Sequence, residues 1–126
     1  MDEFSRLLCE EIKKTGELLK EYRFFVQNIY IGGGTPTTLE ADQLRRLLNK
    51  VKSTFDFTQV KEFTVEAGRA DSITRAKLEV LKKHGVTRIS VNPQTMKEET
   101  LRLIGRRHTV EQVKEAFALA REIGFD

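Results

Sequence analysis

The sequence has one cysteine, two prolines and no tryptophan among its 126 residues. Each scarcity removes a class of protein. A single thiol, Cys9, closes no internal disulfide and holds no iron–sulfur cluster, and no Cys/His group has the spacing of zinc ligands, so no metal site is expected in this chain. With Leu7, Leu8 and Ile12 around it, Cys9 reads as a small buried apolar residue. A membrane-spanning helix needs about 20 consecutive apolar residues, and no such run exists. Met1-Asp2-Glu3-Phe4 has neither the basic start nor the apolar stretch of a secretory signal. A cytoplasmic protein with no membrane partner is therefore expected. Basic residues outnumber acidic ones only 22 to 19, and the two signs are interspersed, as on solvated helix faces. No basic stripe interleaved with aromatics appears, so no nucleic-acid partner is expected.

What is present is a βα rhythm. Phe4, Leu7, Leu8, Ile12, Leu18 and Leu19 recur at helical spacing and predict an amphipathic helix over residues 2–22. Phe24 to Ile31, Val60 to Glu66 and Arg88 to Asn92 are short, β-branched or aromatic, and predict strands. Between them lie helical patterns. Thr37 with Glu40 predicts a capping box for a helix to about Phe55. Asp71 or Ser72 is the expected cap of a helix ending near His84 and stopped by Gly85. Thr95 with Glu98, and Thr109 with Gln112, open two more, the last ending at Gly124. Strands alternating with helices imply right-handed crossovers and a parallel sheet. The expected fold class is α/β, with parallel βα repeats. About three strands are present, too few to close a barrel of the usual eight.

In parallel α/β proteins, ligands bind at the carboxyl ends of the strands. The unusual residues of this sequence gather there. The first strand runs into Gly32-Gly33-Gly34-Thr35-Pro36-Thr37. Such a loop serves as an anion nest, as a ring of carbonyls for a cation such as an ammonium, or merely as a tight turn. It matches neither the P-loop nor the dinucleotide fingerprint. The second strand delivers the Glu66 carboxylate, able to accept from an ammonium or from ribose hydroxyls. The third ends in Asn92-Pro93-Gln94-Thr95, with two polar amides at the same rim. Gly105-Arg106-Arg107-His108 follows, where one arginine could hold a carboxylate in bidentate fashion. His108 reads as a residue preceding a helix cap, and His84 as a structural partner of its helix terminus. Together these groups could grip a zwitterion joined to a ribose.

The segments Tyr30 to Thr37, Val65-Glu66-Ala67, Gly85 to Val91 with Gln94, and Ile104 to His108 resemble radical S-adenosylmethionine (SAM) proteins of the oxygen-independent coproporphyrinogen III oxidase family. The resemblance covers nearly the whole chain, in order. It implies that residues 1–126 are part of the family's TIM-like partial barrel, from its first helix to the start of a further strand. It implies that Gly33, Gly34 and Thr35 hold the methionyl ammonium of SAM. Glu66 would assist at the ammonium or ribose, Gln94 would meet the ribose hydroxyls, and Arg106 the methionyl carboxylate. The implied parent is an oxidoreductase with a [4Fe–4S] cluster that converts propionates of a tetrapyrrole to vinyls in haem biosynthesis.

The family's three-cysteine cluster motif belongs before the first helix, and its next acidic rim residues lie past Asp126. The fragment itself is thus expected to be inactive. Glu66-Ala67-Gly68-Arg69 replaces the frequent Glu-x-Asn-Pro, and Asn92-Pro93-Gln94-Thr95 replaces Gly-Val-Gln-Ser, as in a divergent branch. Two other readings stand beside this one: a haem chaperone on the same scaffold, and a phosphate-binding α/β module. A half-barrel should also expose strand edges and an apolar inner face, favouring association of the fragment with itself.

Overall fold

The structure, a computed structural model, describes residues 2–126. In chain order it contains α1 (Asp2–Glu21), β1 (Asn28–Ile31), α2 (Ala41–Thr54), β2 (Glu62–Ala67), α3 (Arg75–Lys83), β3 (Arg88–Val91), α4 (Glu98–Leu103) and α5 (Val110–Ile123). Short 3-10 turns at Pro36–Thr38 and Ala70–Ser72 follow the first two strands. The strands form one parallel sheet in the order β1-β2-β3. Ile31 pairs in register with Val65, and Val65 with Ile89. The α/β class and the parallel βα repeat are those the sequence predicts.

Strand alternation sends Ile29, Ile31, Phe63, Val65, Ala67, Ile89 and Val91 to one side of the sheet. There they meet Leu44, Leu48, Leu78 and Leu81 from α2 and α3 in the main core. Phe63, Val65, Leu48 and Leu78 are at most 1% exposed, and burying each such side chain stabilises the fold by about 1.5–3 kcal/mol. Phe125 joins this core just past α5, and the Asp126 N–H reaches the Thr87 carbonyl beside β3.

The opposite face carries Asn28, Tyr30, Glu62, Thr64, Glu66, Arg88 and Ser90. The Thr64 hydroxyl donates to Glu62 Oε1 at 2.7 Å, and Arg88 lies 3.7 Å from the same carboxylate. This open face is polar, contrary to the expected apolar one. The apolar residues of each strand are directed to the helix side, and the alternate positions carry hydroxyls and charges.

Element boundaries differ from expectation where loop chemistry intervenes. β1 begins at Asn28, not Phe24. Arg23 takes a left-handed conformation (φ 56°) and the Phe24 N–H returns to the Leu19 carbonyl, so a helix-terminating turn consumes the start of the expected strand. Phe24 and Phe25 are left exposed. α2 is capped by Glu40, whose N–H donates to Gln43 Oε1 at 2.9 Å, not by Thr37. Pro36 starts a 3-10 turn that holds Thr37 outside the helix and buries it. α3 is capped by Thr74, because Asp71 and Ser72 lie in the second 3-10 turn. α4 starts after Lys97. Thr95 Oγ1 accepts from the Lys97 N–H, while the Glu98 carboxylate accepts from the Val110 N–H at 2.8 Å and so serves α5. The Thr109–Gln112 capping box and the Gly124 stop stand as predicted.

Among the described residues, no helix is long and apolar enough to cross a membrane. Cys9 is partly buried against the core.

Candidate functional site

Because all three strands are parallel, Ile31, Ala67 and Val91 end at one edge of the sheet. The loops that leave that edge carry Gly33, Gly34, Thr35 and Gln94; Glu66 lies at the end of β2 and Arg106 between α4 and α5. Gly33 (φ 75°) and Gly34 (φ 40°) both take left-handed conformations. A side chain here would be strained, while no other atom lies within 4 Å of where its Cβ would sit. The backbone is thus open to a ligand on that side. Thr35 follows, half-buried, leading into Pro36.

Glu66 sits at the penultimate position of β2 on the open face, half-buried. Its carboxyl carbon is 3.2 Å from the Cβ position of Gly32, so a side chain at 32 would crowd it. The Tyr30 hydroxyl donates to Glu66 Oε1. This bond to an anionic acceptor, reinforced by desolvation and the negative charge, holds the Tyr30 phenol above its ordinary titration range. Tyr30 did not stand out in the sequence. It stands only as the first residue of the segment that carries the family resemblance; its register opposite Thr64 and its reach to the diagonal neighbour come from the structure.

Gln94 is exposed and left-handed (φ 63°), with its N–H donating to Asn92 Oδ1 at 2.9 Å. A non-glycine residue in that region is uncommon, and here the Asx-type turn supports it. His108 is 2% exposed and places Nε2 3.0 Å from the Pro93 carbonyl. Since a carbonyl only accepts, Nε2 carries the proton. Nδ1 is buried with no hydrogen-bond partner among the described residues. His108 thereby ties the segment preceding α5, two residues after Arg106, to the loop after β3. Arg106 is half-buried, and its guanidinium takes part in none of the ion pairs found among the described residues. His84 is buried between the Val80 carbonyl (2.7 Å) and Asn49 Oδ1 (3.0 Å), remote from this edge at the end of α3.

A cavity of about 480 Å³ is lined by the glycine loop itself, Gly32 to Thr35, together with the apolar side chains of Phe4, Leu8, Ile31, Leu39 and Leu47. Its side-chain walls are mainly apolar and suit hydrocarbon. A carboxylate, an unpaired guanidinium, an exposed amide and an open glycine backbone fit the polar groups of an amino acid bearing a nucleoside. A four-iron cluster does not fit: one cysteine is present, and among the described residues no three His, Cys, Asp or Glu side chains converge.

A sequence profile described as the radical SAM superfamily matches residues 3–126. The chain is 47% identical over 117 residues to the oxygen-independent coproporphyrinogen-III oxidase-like protein HemZ of Bacillus subtilis, covering 92% of this chain and 23% of that protein. It is 37% identical over 127 residues to the heme chaperone HemW of the same organism, covering 100% of this chain and 33% of the relative. Among solved structures, the coproporphyrinogen III oxidase HemN of Escherichia coli, a radical SAM enzyme, superposes with a TM-score of 0.87 at 30% identity, over 98% of this chain and 28% of its own. The chain thus spans between about a quarter and a third of the length of these relatives. With the parallel βα repeat and the profile match over nearly every residue, the chain belongs to the radical SAM superfamily.

Proposed function

We propose that this chain supplies the SAM-gripping edge of a radical SAM oxidoreductase of tetrapyrrole synthesis. One observation carries the reading: the open glycine backbone, the Glu66 carboxylate and the Gln94 amide leave the same carboxyl edge of a parallel sheet. In this reading the carbonyls of Gly33 and Gly34 and the Thr35 segment accept from the methionyl ammonium. Glu66, steadied by Tyr30, adds the negative charge that an ammonium in a half-buried site requires. Gln94 meets the ribose hydroxyls, and Arg106 pairs with the methionyl carboxylate. Reductive cleavage of bound SAM supplies the carbon radical that such enzymes use to take a substrate hydrogen. The residues present here bind and orient; we place the cluster ligands elsewhere in the longer protein.

The similarity to an oxidase-like protein and to HemN supports oxidative decarboxylation of coproporphyrinogen propionates as the parent activity. The similarity to HemW over the whole chain supports a second reading, haem delivery without oxidation. Calorimetric titration of the chain with SAM tests the shared part. Binding that is lost in both Glu66→Gln and Arg106→Ala is expected; no heat of binding at millimolar SAM would refute it. Assays of the full-length protein for haem binding and for propionate decarboxylation separate oxidase from chaperone.

A further inference from the structure

Lys77 lies in the first turn of α3 and is 8% exposed. A lysine this buried ordinarily pairs with a carboxylate, since desolvating an ammonium is costly. Lys77 enters none of the ion pairs among the described residues. Its Nζ donates instead to two backbone carbonyls, Thr37 O at 2.7 Å and Ser72 O at 3.3 Å. These belong to different loops. Thr37 lies in the loop leaving β1, shortly after the glycines, and Ser72 in the loop leaving β2, after Glu66.

A second link joins the same two loops. Thr37, fully buried, places Oγ1 2.6 Å from Ser72 Oγ. Ser72 Oγ donates its single proton to the Arg69 carbonyl at 2.7 Å. Thr37 must therefore be the donor to Ser72. The result is a directed chain, Thr37 to Ser72 to Arg69, running beside the ammonium. Neither loop has strand pairing to hold it at this point, since β1 ends at Ile31 and β2 at Ala67. A buried apolar side chain would fill the same space at lower desolvation cost, so packing alone does not account for a lysine.

We propose that Lys77 is a positioning residue: its ammonium, with the Thr37–Ser72 hydroxyl pair, clamps the loops after β1 and β2 and so sets the Gly33–Thr35 backbone against Glu66. The proposal rests on the reading of this edge as a SAM site. The clamp itself is a property of the loops and is measured separately.

The test compares Lys77→Met with Lys82→Met. Lys82, on the same helix, also donates to a backbone carbonyl, Gly124 O at 2.6 Å, but it does so past the far end of α3 from the clamped loops. Amide exchange at the hydrogen-bonded N–H groups of the two loops, Thr38, Leu39, Ser72 and Ile73, is followed by NMR in the 126-residue chain, and SAM affinity by calorimetry. Lys77→Met should speed exchange at these amides by about tenfold or more and weaken SAM binding by a similar factor. Lys82→Met should change both by less than about twofold. Equal effects of the two substitutions, or none at Thr38, Leu39, Ser72 and Ile73 in Lys77→Met, would overturn the proposal. Should Lys77→Met not fold, Thr37→Val with Ser72→Ala removes the Thr37–Ser72–Arg69 hydroxyl chain and keeps Lys77: faster exchange at the same amides would then support the clamp, and unchanged exchange would overturn it. If the unmodified chain does not bind SAM, the ligand assignment fails while the exchange data still decide the clamp.

Discussion

The Tyr30 hydroxyl donates to Glu66 Oε1 across adjacent parallel strands, on the polar open face of the sheet. Tyr30 stands opposite Thr64 in register, so its ring reaches the next residue on that face of β2. The bond turns Glu66 from a strand-end carboxylate into an oriented acceptor, and it keeps the phenol protonated to higher pH.

That coupling has a pH signature. The folded phenol titrates above the ordinary tyrosine value of about 10, chiefly because ionisation would lose the hydrogen bond to Glu66. A group with a raised folded pKa stabilises the fold below its unfolded pKa, and the contribution is lost as pH rises through the folded value. Ultraviolet titration of a Tyr22→Phe background, which leaves Tyr30 as the only tyrosine, should show this elevation. Glu66→Gln should return Tyr30 towards its ordinary value. An unchanged titration would mean that the pair does not persist in solution.

The glycine loop should respond unequally to alanine. At Gly34 the φ of 40° is strained for any side chain, yet no atom lies within 4 Å of the new Cβ. Gly34→Ala should cost about 1–2 kcal/mol in urea unfolding and leave the Tyr30 titration alone. At Gly32 a Cβ would sit 2.5 Å from Tyr30 Cε1 and 3.2 Å from Glu66 Cδ. Gly32→Ala should therefore part the tyrosine from the carboxylate and lower the Tyr30 titration. The two variants separate backbone strain from side-chain crowding.

His108 should govern the Gln94 loop. Its Nε2 satisfies the Pro93 carbonyl at 3.0 Å, and removing the ring leaves that acceptor without its partner. His108→Ala should destabilise the chain by about 1–3 kcal/mol and broaden or shift the Gln94 side-chain amide signals. His108→Gln, which can present an N–H from a similar position, should restore part of both. Gln94 signals unmoved in His108→Ala would show that the loop is held by its own Asn92 turn.

Much of this architecture was legible in the sequence because it depends on local chemistry. Period-2 and period-3.6 patterns assigned the strands and helices, and the βα alternation fixed a parallel sheet. Thr109 with Gln112 marked the start of α5 because a capping box involves only neighbours. Thr37 and Glu40 fit the same pattern and misled, since Pro36 and the burial of Thr37 against Ser72 reassigned both residues. The glycine loop, Glu66 and Gln94 were visible as residue types at strand ends, and Arg106 as one that follows the next helix. Tyr30, Lys77 and the structural role of His108 were not, because each acts on a partner 15 or more residues away in the chain.

By itself, then, the sequence determined the class of fold, the direction of the strands and the edge at which polar groups collect: these follow from side-chain periodicity and from the geometry of crossovers. Only the tertiary structure decided which groups restrain one another at that edge. A hydrogen bond forms where two distant segments of the chain converge, and no periodicity in either segment records that meeting. The tyrosine that orients Glu66, the buried ammonium between two carbonyls and the polar character of the open face were settled there.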